Sequence, residues 1–141
     1  MIRCVLKMNI KLSMEDLEKI NLFNKLTHSN VVDFLENDDE LYFVVSEGQY
    51  GLAVGKNGVK IKHAESKFKK TIRLFEFADN VRAFTKNMVP DAENVRVNDD
   101  VVIIEVKTKN RAKTIGRSGK NIEIIKKLLN RHFGIKDVKV R

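Results

Sequence analysis

The feature that most constrains this chain is an internal repeat with an offset of 61 residues. The tetrad Gly55-Lys56-Asn57-Gly58 recurs as Gly116-Arg117-Ser118-Gly119, and the two tetrads hold four of the seven glycines. The same offset aligns residues 37–39 with residues 98–100, and both segments read Asn-Asp-Asp. It also aligns two apolar positions beside the first tetrad with two beside the second. Because one offset aligns several separated features, the sequence indicates a duplicated module.

The first copy predicts the order helix, two strands, short helix, long helix and strand. Ser13 to Asp16 has the form of a capping box, and apolar residues recur after it at helical spacing. The next predicted elements are strands at residues 31–35 and 41–45, a short helix at 49–54, a long helix at 58–69 and a strand at 71–77. We interpret Gly48 to Gly51, which has no glycine counterpart at the offset, as the start of the short helix.

The second copy predicts the same order, with Asp79 capping a helix that must end near Pro90. Strands are expected at residues 93–97 and 101–107, a short helix at 111–115, a long helix ending at Gly134, and a strand at 135–141. The fold class is therefore α/β of the α+β kind, in which each module has the order αββααβ. We expect modules at residues 13–78 and 79–141, packed as a rigid pair because no Gly/Ser-rich linker separates them.

Residues 1–12 lie outside the repeat. Their apolar side chains alternate with polar ones, which predicts an N-terminal extension that forms an added strand. Whether translation starts at Met1 or at Met8 stays open. Cys4, the only cysteine, lies in this stretch and is expected to be a small buried side chain without chemistry.

The positive charge of the chain, +8 overall, is concentrated in two segments. Residues 107–131 hold nine basic residues against one acidic residue, and residues 56–70 hold six against one, whereas residues 1–47 hold five against nine. A focused basic surface favours a polyanionic partner. The longest apolar runs are far shorter than the roughly 18 residues of a membrane span, so a cytoplasmic protein without membrane association is expected.

A glycine tetrad between two helices is suited to holding a phosphate, because the absent side chains let a sugar-phosphate backbone approach the main chain. The first turn of the following helix adds N–H groups and the positive end of the helix dipole. We predict contacts to nucleic acid by the two tetrads, with a base-groove floor beside them. The floor residues are Val54, Ile61, Ile115 and Ile122. The flanking cations are Lys60, Lys62, Lys113 and Lys120, of which Lys60 and Lys120 are the predicted contacts.

These residues resemble the KH family, whose GXXG loop clamps about four nucleotides of single-stranded nucleic acid. The helix-first order is similar to the type II form. Residues 53–58, 112–122 and 87–90 resemble like segments in the tandem KH pair of NusA-type transcription factors. Because the polymerase-binding and S1 domains of the bacterial proteins have no counterpart here, the short archaeal form is expected. The resemblance implies binding of nascent RNA in transcription elongation, termination or antitermination, with RNA polymerase as a further partner.

Two alternatives stay open. The same fold could bind ribosomal RNA or serve ribosome assembly, or the protein could be a transcription-complex adaptor with vestigial clamps. An enzyme is not expected, because His28, His63 and His132 fall in different elements and assemble no nucleophile, base and orienting acid. Neither a metal nor a cofactor is expected, and the Asp38-Asp39 and Asp99-Asp100 pairs are attributed to turns. Base stacking on aromatic residues is not expected either, since aromatic residues are few and Phe34, Phe68, Phe75 and Phe133 are assigned to the core.

Overall fold

The computed structural model describes residues 12–141, which divide into two compact units between Phe77 and Ala78. The N-terminal extension before Leu12, with Cys4 and the two candidate start residues, lies outside the described residues. Each unit has the predicted order of elements. In unit 1 these are α1 (Met14–Thr27), β1 (Val31–Glu36), β2 (Glu40–Val45), α2 (Tyr50–Val54), α3 (Val59–Phe68) and β3 (Thr71–Glu76). In unit 2 they are α4 (Val81–Met88), β4 (Asn94–Asn98), β5 (Val101–Glu105), α5 (Thr108–Ile115), α6 (Lys120–Phe133) and β6 (Asp137–Val140).

Within residues 12–141, each unit contains one three-stranded mixed sheet. The middle strand pairs antiparallel with the strand before it and parallel with the strand after it, giving the orders β1-β2-β3 and β4-β5-β6. The antiparallel pair is a hairpin, whereas the parallel pair needs a crossover, which the two helices between the strands supply. The expected α+β fold of two tandem small modules is confirmed.

The caps and turns follow from local side-chain chemistry. Ser13 Oγ accepts from the amide of Asp16 and Asp16 Oδ2 accepts from the amide of Ser13, so the predicted capping box opens α1. In the first hairpin, Asn37 Oδ1 accepts from the amides of Asp39 and Glu40 at 2.9 and 2.8 Å, which confirms the turn role of this segment. In the second, Asp99 takes a left-handed conformation with φ 52°.

The cap of α4 was predicted wrongly. Asn80, not Asp79, is the N-cap, and its Oδ1 accepts from the amide of Ala83 at 2.8 Å. Either side chain can cap a helix, so the sequence alone did not separate two neighbouring candidates. Gly134, by contrast, ends α6 in the left-handed conformation that was predicted, with φ 71°.

Each unit buries its own apolar core between helices and sheet. In unit 1 the core includes Phe23, Phe34 and Phe43, and the rings of Phe23 and Phe43 stack with centroids 4.1 Å apart. In unit 2 the buried residues include Phe84 from α4 and Leu128 from α6. The helices are thus fixed on one face of each sheet, and the loops that join α2 to α3 and α5 to α6 are held at both ends by packed elements.

The 61-residue offset does not extend through the whole module. Glu40 and Val101, at the starts of β2 and β5, are 61 residues apart, but their parallel partners Thr71 and Asp137 are 66 apart. Four of these five extra residues lie in the long helix, because α6 has 14 residues and α3 has 10, and the fifth lies in the segment between α6 and β6. The 61-residue offset therefore holds around the glycine tetrads and is lost along the long helix that follows them.

Candidate nucleic-acid interface

Both glycine tetrads form the same sharp turn between two helices. The inner residues and the second glycine make a single 3-10 turn, closed by a hydrogen bond of 3.1 Å from the amide of the second glycine to the carbonyl of the first. Gly55 and Gly116 have φ/ψ of 77°/171° and 81°/167°, and Gly58 and Gly119 have 73°/17° and 74°/16°. The two loops are therefore nearly superposable in backbone conformation.

The first glycine of each tetrad occupies a conformation that is essentially restricted to glycine. A Cβ at Gly55 would lie 2.7 Å from Lys60 Cγ, and a Cβ at Gly116 would lie 2.8 Å from the backbone nitrogen of Asn121. Both the dihedral angles and the close approach of the next helix exclude a side chain here. The requirement for glycine is thus local and steric.

The second inner residue of each loop is left-handed although it is not glycine. Asn57 has φ/ψ of 56°/25° and Ser118 has 56°/27°. An L-residue in this region costs roughly 1–2 kcal/mol relative to a right-handed conformation, somewhat less for asparagine. Both units keep this strained position, which orients the peptide groups of the loop.

The amide N–H groups of the inner residues are available for a ligand. Within residues 12–141, no hydrogen bond uses the amides of Lys56 and Asn57 in the first loop, or those of Arg117 and Ser118 in the second. Successive amides in alternating right- and left-handed conformations form a concave donor site that suits an anion. The exposed side chains of Lys56 and Arg117 add positive charge at the same position.

The predicted floor residues share one level of burial. Val54, Ile61, Ile115 and Ile122 are all half-buried, at the ends of the helices that meet at each loop. Part of each side chain remains open to solvent beside the loop. Their role as the floor of a base groove stays a prediction.

Lys60 and its counterpart Asn121 make contacts inside their own units. Lys60 Nζ donates to the carbonyl oxygen of Thr27, the last residue of α1, at 3.1 Å. The negative end of a helix dipole favours a cation at that place. Asn121 Nδ2 donates to the carbonyl oxygen of Lys113 at 2.9 Å. The structure thus gives Lys60 a contact that ties α1 to α3, and its predicted contact with nucleic acid stays a prediction.

The remaining predicted cations differ in their exposure and in their contacts. Lys62 is exposed, Lys120 is half-buried and engaged in a contact, and Lys113 Nζ lies 3.0 Å from Asp91 Oδ2 in an exposed ion pair. The prediction did not include Lys109 and Arg111, two exposed cations on α5. Lys109 belongs to this helix because the helix starts at Thr108, three residues earlier than expected, whereas Arg111 already lay in the predicted helix. The high count of basic residues over 107–131 was the signal for them.

Among the described residues, Glu36 and Tyr42 of the first hairpin have shifted pKa values, and this hairpin is not part of either loop. The side-chain hydrogen bond from Lys19 lowers the pKa of Glu36, and Lys70 acts in the same direction. Burial raises the pKa of Tyr42 to about 12, and its hydroxyl also bonds Glu40. Neither group is placed to act on a ligand at the tetrads.

Metal-binding and membrane-spanning features are not found in the part of the chain that the structure describes. No cluster of three or more His, Cys, Asp or Glu side chains in residues 12–141 has the arrangement of a metal site. None of the helices described is both long and apolar enough to cross a membrane.

Comparison with known proteins finds similar archaeal sequences over nearly the whole chain. The probable transcription termination protein NusA of Methanococcus vannielii is 40% identical over 94% of this chain and 80% of its own length. The proteins of the same name from Methanocaldococcus jannaschii and Halobacterium salinarum are 36% and 33% identical, covering 93% and 94% of this chain and 75% and 99% of their own lengths. The crystal structure of APE1850 superposes with a TM-score of 0.75 at 28% identity, over 92% of this chain and all of that one. No family model matches the chain.

Proposed function

This chain belongs to the family of archaeal NusA transcription termination proteins, and from that premise we propose that it binds single-stranded RNA at its two glycine loops during transcription termination. The observation that carries the proposal is the matching conformation of the loops. Both contain a left-handed inner residue, a glycine that admits no Cβ, and two inner amides without a partner in residues 12–141. A phosphate satisfies those amides and is attracted by Lys56 or Arg117.

Single-stranded RNA fits the loops better than a duplex does. A phosphate can enter the tight turn between two helices only if the nucleic-acid strand bends locally, which a single strand does easily. Its unpaired bases are then free to contact the half-buried apolar residues beside each loop. Duplex RNA presents its phosphates on a rigid, regular surface. We therefore expect little competition from duplex and strong competition from unstructured strands.

The test is fluorescence anisotropy with short single-stranded RNA, the matched DNA and a duplex. We expect Lys56→Asp/Asn57→Asp and Arg117→Asp/Ser118→Asp each to weaken RNA binding at least about 10-fold, because each pair puts carboxylates where phosphate binds. A matched control, Ser66→Asp/Lys67→Asp, makes the same charge change at exposed positions at the other end of α3. Equal effects of the control and the first loop variant would mean that net charge, and not the loop, attracts the RNA.

Salt dependence separates the two units. Each phosphate contact on a single strand contributes about 0.7 to the slope of log affinity against log salt. Because unit 2 carries more cations around its loop, we expect Arg117→Asp/Ser118→Asp to reduce the slope more than Lys56→Asp/Asn57→Asp does. An unchanged slope in the unit 2 variant would contradict a phosphate clamp there.

The link to transcription is tested by termination assays with archaeal RNA polymerase. We expect the wild type and Ser66→Asp/Lys67→Asp to change the terminated fraction, and both loop variants to lose that effect. If the loop variants act like the wild type, the protein is an adaptor in which the clamps are vestigial, and its contact with the transcription complex is made elsewhere.

A further inference from the structure

Three of the large apolar side chains exposed in residues 12–141 flank the first glycine loop. Tyr50 and Leu52 lie on α2, and Val59 is the first residue of α3, with exposed fractions of 45%, 44% and 60%. The two others, Met14 and Leu22, lie on α1. We call Tyr50, Leu52 and Val59 the apolar flank. Exposed apolar side chains on the two helices that a binding loop joins indicate a contact surface.

The second loop has cations at each equivalent position. With the 61-residue offset, Tyr50 corresponds to Arg111, Leu52 to Lys113 and Val59 to Lys120. Gly48, before α2, corresponds to Lys109 in the same way. Two loops of one backbone conformation therefore lie in surroundings of opposite chemical character.

The surroundings of α2 also disfavour a second phosphate. The amide of Tyr50 donates to Glu76 Oε1 at 3.2 Å, and Glu47 is exposed three residues before it. Carboxylates beside the apolar flank repel the sugar-phosphate backbone. A strand held at Lys56 is thus steered so that its bases, and not its phosphates, meet the apolar flank.

The strained loop argues for RNA and against a protein partner on this surface. Asn57 keeps its left-handed conformation, and the amides of Lys56 and Asn57 keep no partner in the described chain. A loop that no longer bound phosphate would have no need of these unfavourable features. The apolar flank therefore lies on the two helices that the loop joins, beside the proposed phosphate site.

We propose that the two loops divide the recognition of RNA: unit 1 contacts unpaired nucleobases through Tyr50, Leu52 and Val59, whereas unit 2 supplies affinity through the phosphates. This inference rests on the proposed RNA binding and specifies what each loop recognises. Tyr50 is the main contact, because an exposed aromatic ring stacks on any base and tolerates different sequences. Base preference therefore arises mainly in unit 1, and salt dependence mainly in unit 2.

The experiment uses full-length protein in which one loop is disabled, with two strands of equal length. One strand is a single-stranded RNA, and the other is the same backbone with abasic sites, which keeps the phosphates and lacks the bases. With unit 2 disabled by Arg117→Asp/Ser118→Asp, we expect RNA to bind at least about 5-fold more tightly than the abasic strand, the low end of the contribution of one stacked base. With unit 1 disabled by Lys56→Asp/Asn57→Asp, the preference should be at least about 2-fold smaller, because only the half-buried Ile115 and Ile122 beside the second loop then contact bases.

Substitutions of the apolar flank then locate the contact. In the protein with unit 2 disabled, Tyr50→Ala should weaken RNA binding about 5-fold and leave the abasic strand within about 2-fold, while Tyr50→Phe should keep the wild-type preference because the ring remains. Leu52→Lys/Val59→Lys, which copies unit 2, should increase the salt slope and reduce the preference for bases. Met14→Ser/Leu22→Ser, an exposed apolar pair away from the loop, should change neither value.

The outcomes distinguish this inference from the proposed function. If unit 1 binds both strands equally, or if Tyr50→Ala and Met14→Ser/Leu22→Ser behave alike, the division of recognition is wrong although RNA binding stands, and the apolar flank is left for a protein partner. If unit 1 alone binds neither strand while its circular dichroism spectrum and thermal unfolding are unchanged, the clamp proposal itself fails for that unit.

Discussion

Replacing the first glycine of the second loop by alanine is the sharpest test of the loop geometry. Gly116 has φ/ψ of 81°/167°, and a Cβ there would lie 2.8 Å from the backbone nitrogen of Asn121 and 2.9 Å from its Cγ. The backbone conformation costs a non-glycine residue about 1–3 kcal/mol. The collision with backbone of α6 costs roughly 1–3 kcal/mol more, as overpacking does in a well-packed region.

The same substitution at the second glycine of that loop is the matched control. Gly119 has φ/ψ of 74°/16°, where alanine costs about 1–2 kcal/mol, and its Cβ would lie 3.8 Å from Ile122 Cγ2, an ordinary contact. In both variants alanine reduces the conformational entropy of the unfolded chain, which raises the unfolding free energy by roughly 0.4–1 kcal/mol. The expected losses of unfolding free energy are therefore about 3 kcal/mol for Gly116→Ala and about 1 kcal/mol for Gly119→Ala.

Urea denaturation monitored by circular dichroism measures this difference. Both substitutions lie in unit 2, so they perturb the same unfolding transition, and its midpoints can be compared directly. Anisotropy on the folded variants should also show weaker RNA binding for Gly116→Ala, because the loop must move to admit the methyl group. If the two variants lose equal stability, the close approach of α6 to Gly116 is not what requires glycine, and our account of the tetrad is refuted.

Two further predictions concern side chains of unit 1. Lys60→Met should lower the unfolding free energy by about 1 kcal/mol, since it removes the hydrogen bond to the carbonyl of Thr27. Because Lys60 is also a predicted RNA contact, the substitution should lower the salt slope of RNA binding; an unchanged slope would limit Lys60 to its contact with Thr27. The hydrogen bonds from Lys19 and then Lys70 hold the pKa of Glu36 below its usual 4.5. The ionised Glu36 therefore stabilises the fold fully above pH 4.5, and this stabilisation is lost as the pH falls through the lowered pKa of the folded state. The stability difference between wild type and Glu36→Gln should accordingly shrink on acidification, and a difference that is independent of pH would contradict this assignment.

The fold could be predicted from the sequence to within a few residues at most element boundaries, because its signals are local. The capping box at Ser13, the left-handed cap at Gly134 and the alternation of apolar residues in the strands each depend on neighbouring residues alone. The errors also have local causes. Asp79 and Asn80 are both good caps, and α5 begins before Arg111 because polar residues at an exposed helix start give no periodic signal.

The candidate site was predictable in its backbone and less so in its side chains. Four glycines at fixed spacing predicted the two turns, because residues with a side chain rarely adopt the backbone conformations found there. The contact of Lys60 with Thr27 joins residues 33 positions apart, and no periodicity indicates it. The sequence analysis made no prediction for the exposure of Tyr50, although the offset already paired Tyr50 with an arginine.

The comparison of the two units shows where a duplicated module is free to change. The first glycine of each loop is fixed by dihedral angle and by the approach of the next helix, so alternatives there cost several times the thermal energy. Leu52 is 44% exposed, and Lys113 is exposed and contacts Asp91 through a surface ion pair, so apolar and cationic residues at these positions differ little in their effect on folding. Steric requirements therefore keep the backbone of the two loops alike, while the flanking positions vary at little cost in stability. Differences in ligand chemistry between the two units must arise at such flanking positions, and substitutions there should redirect binding without unfolding the protein.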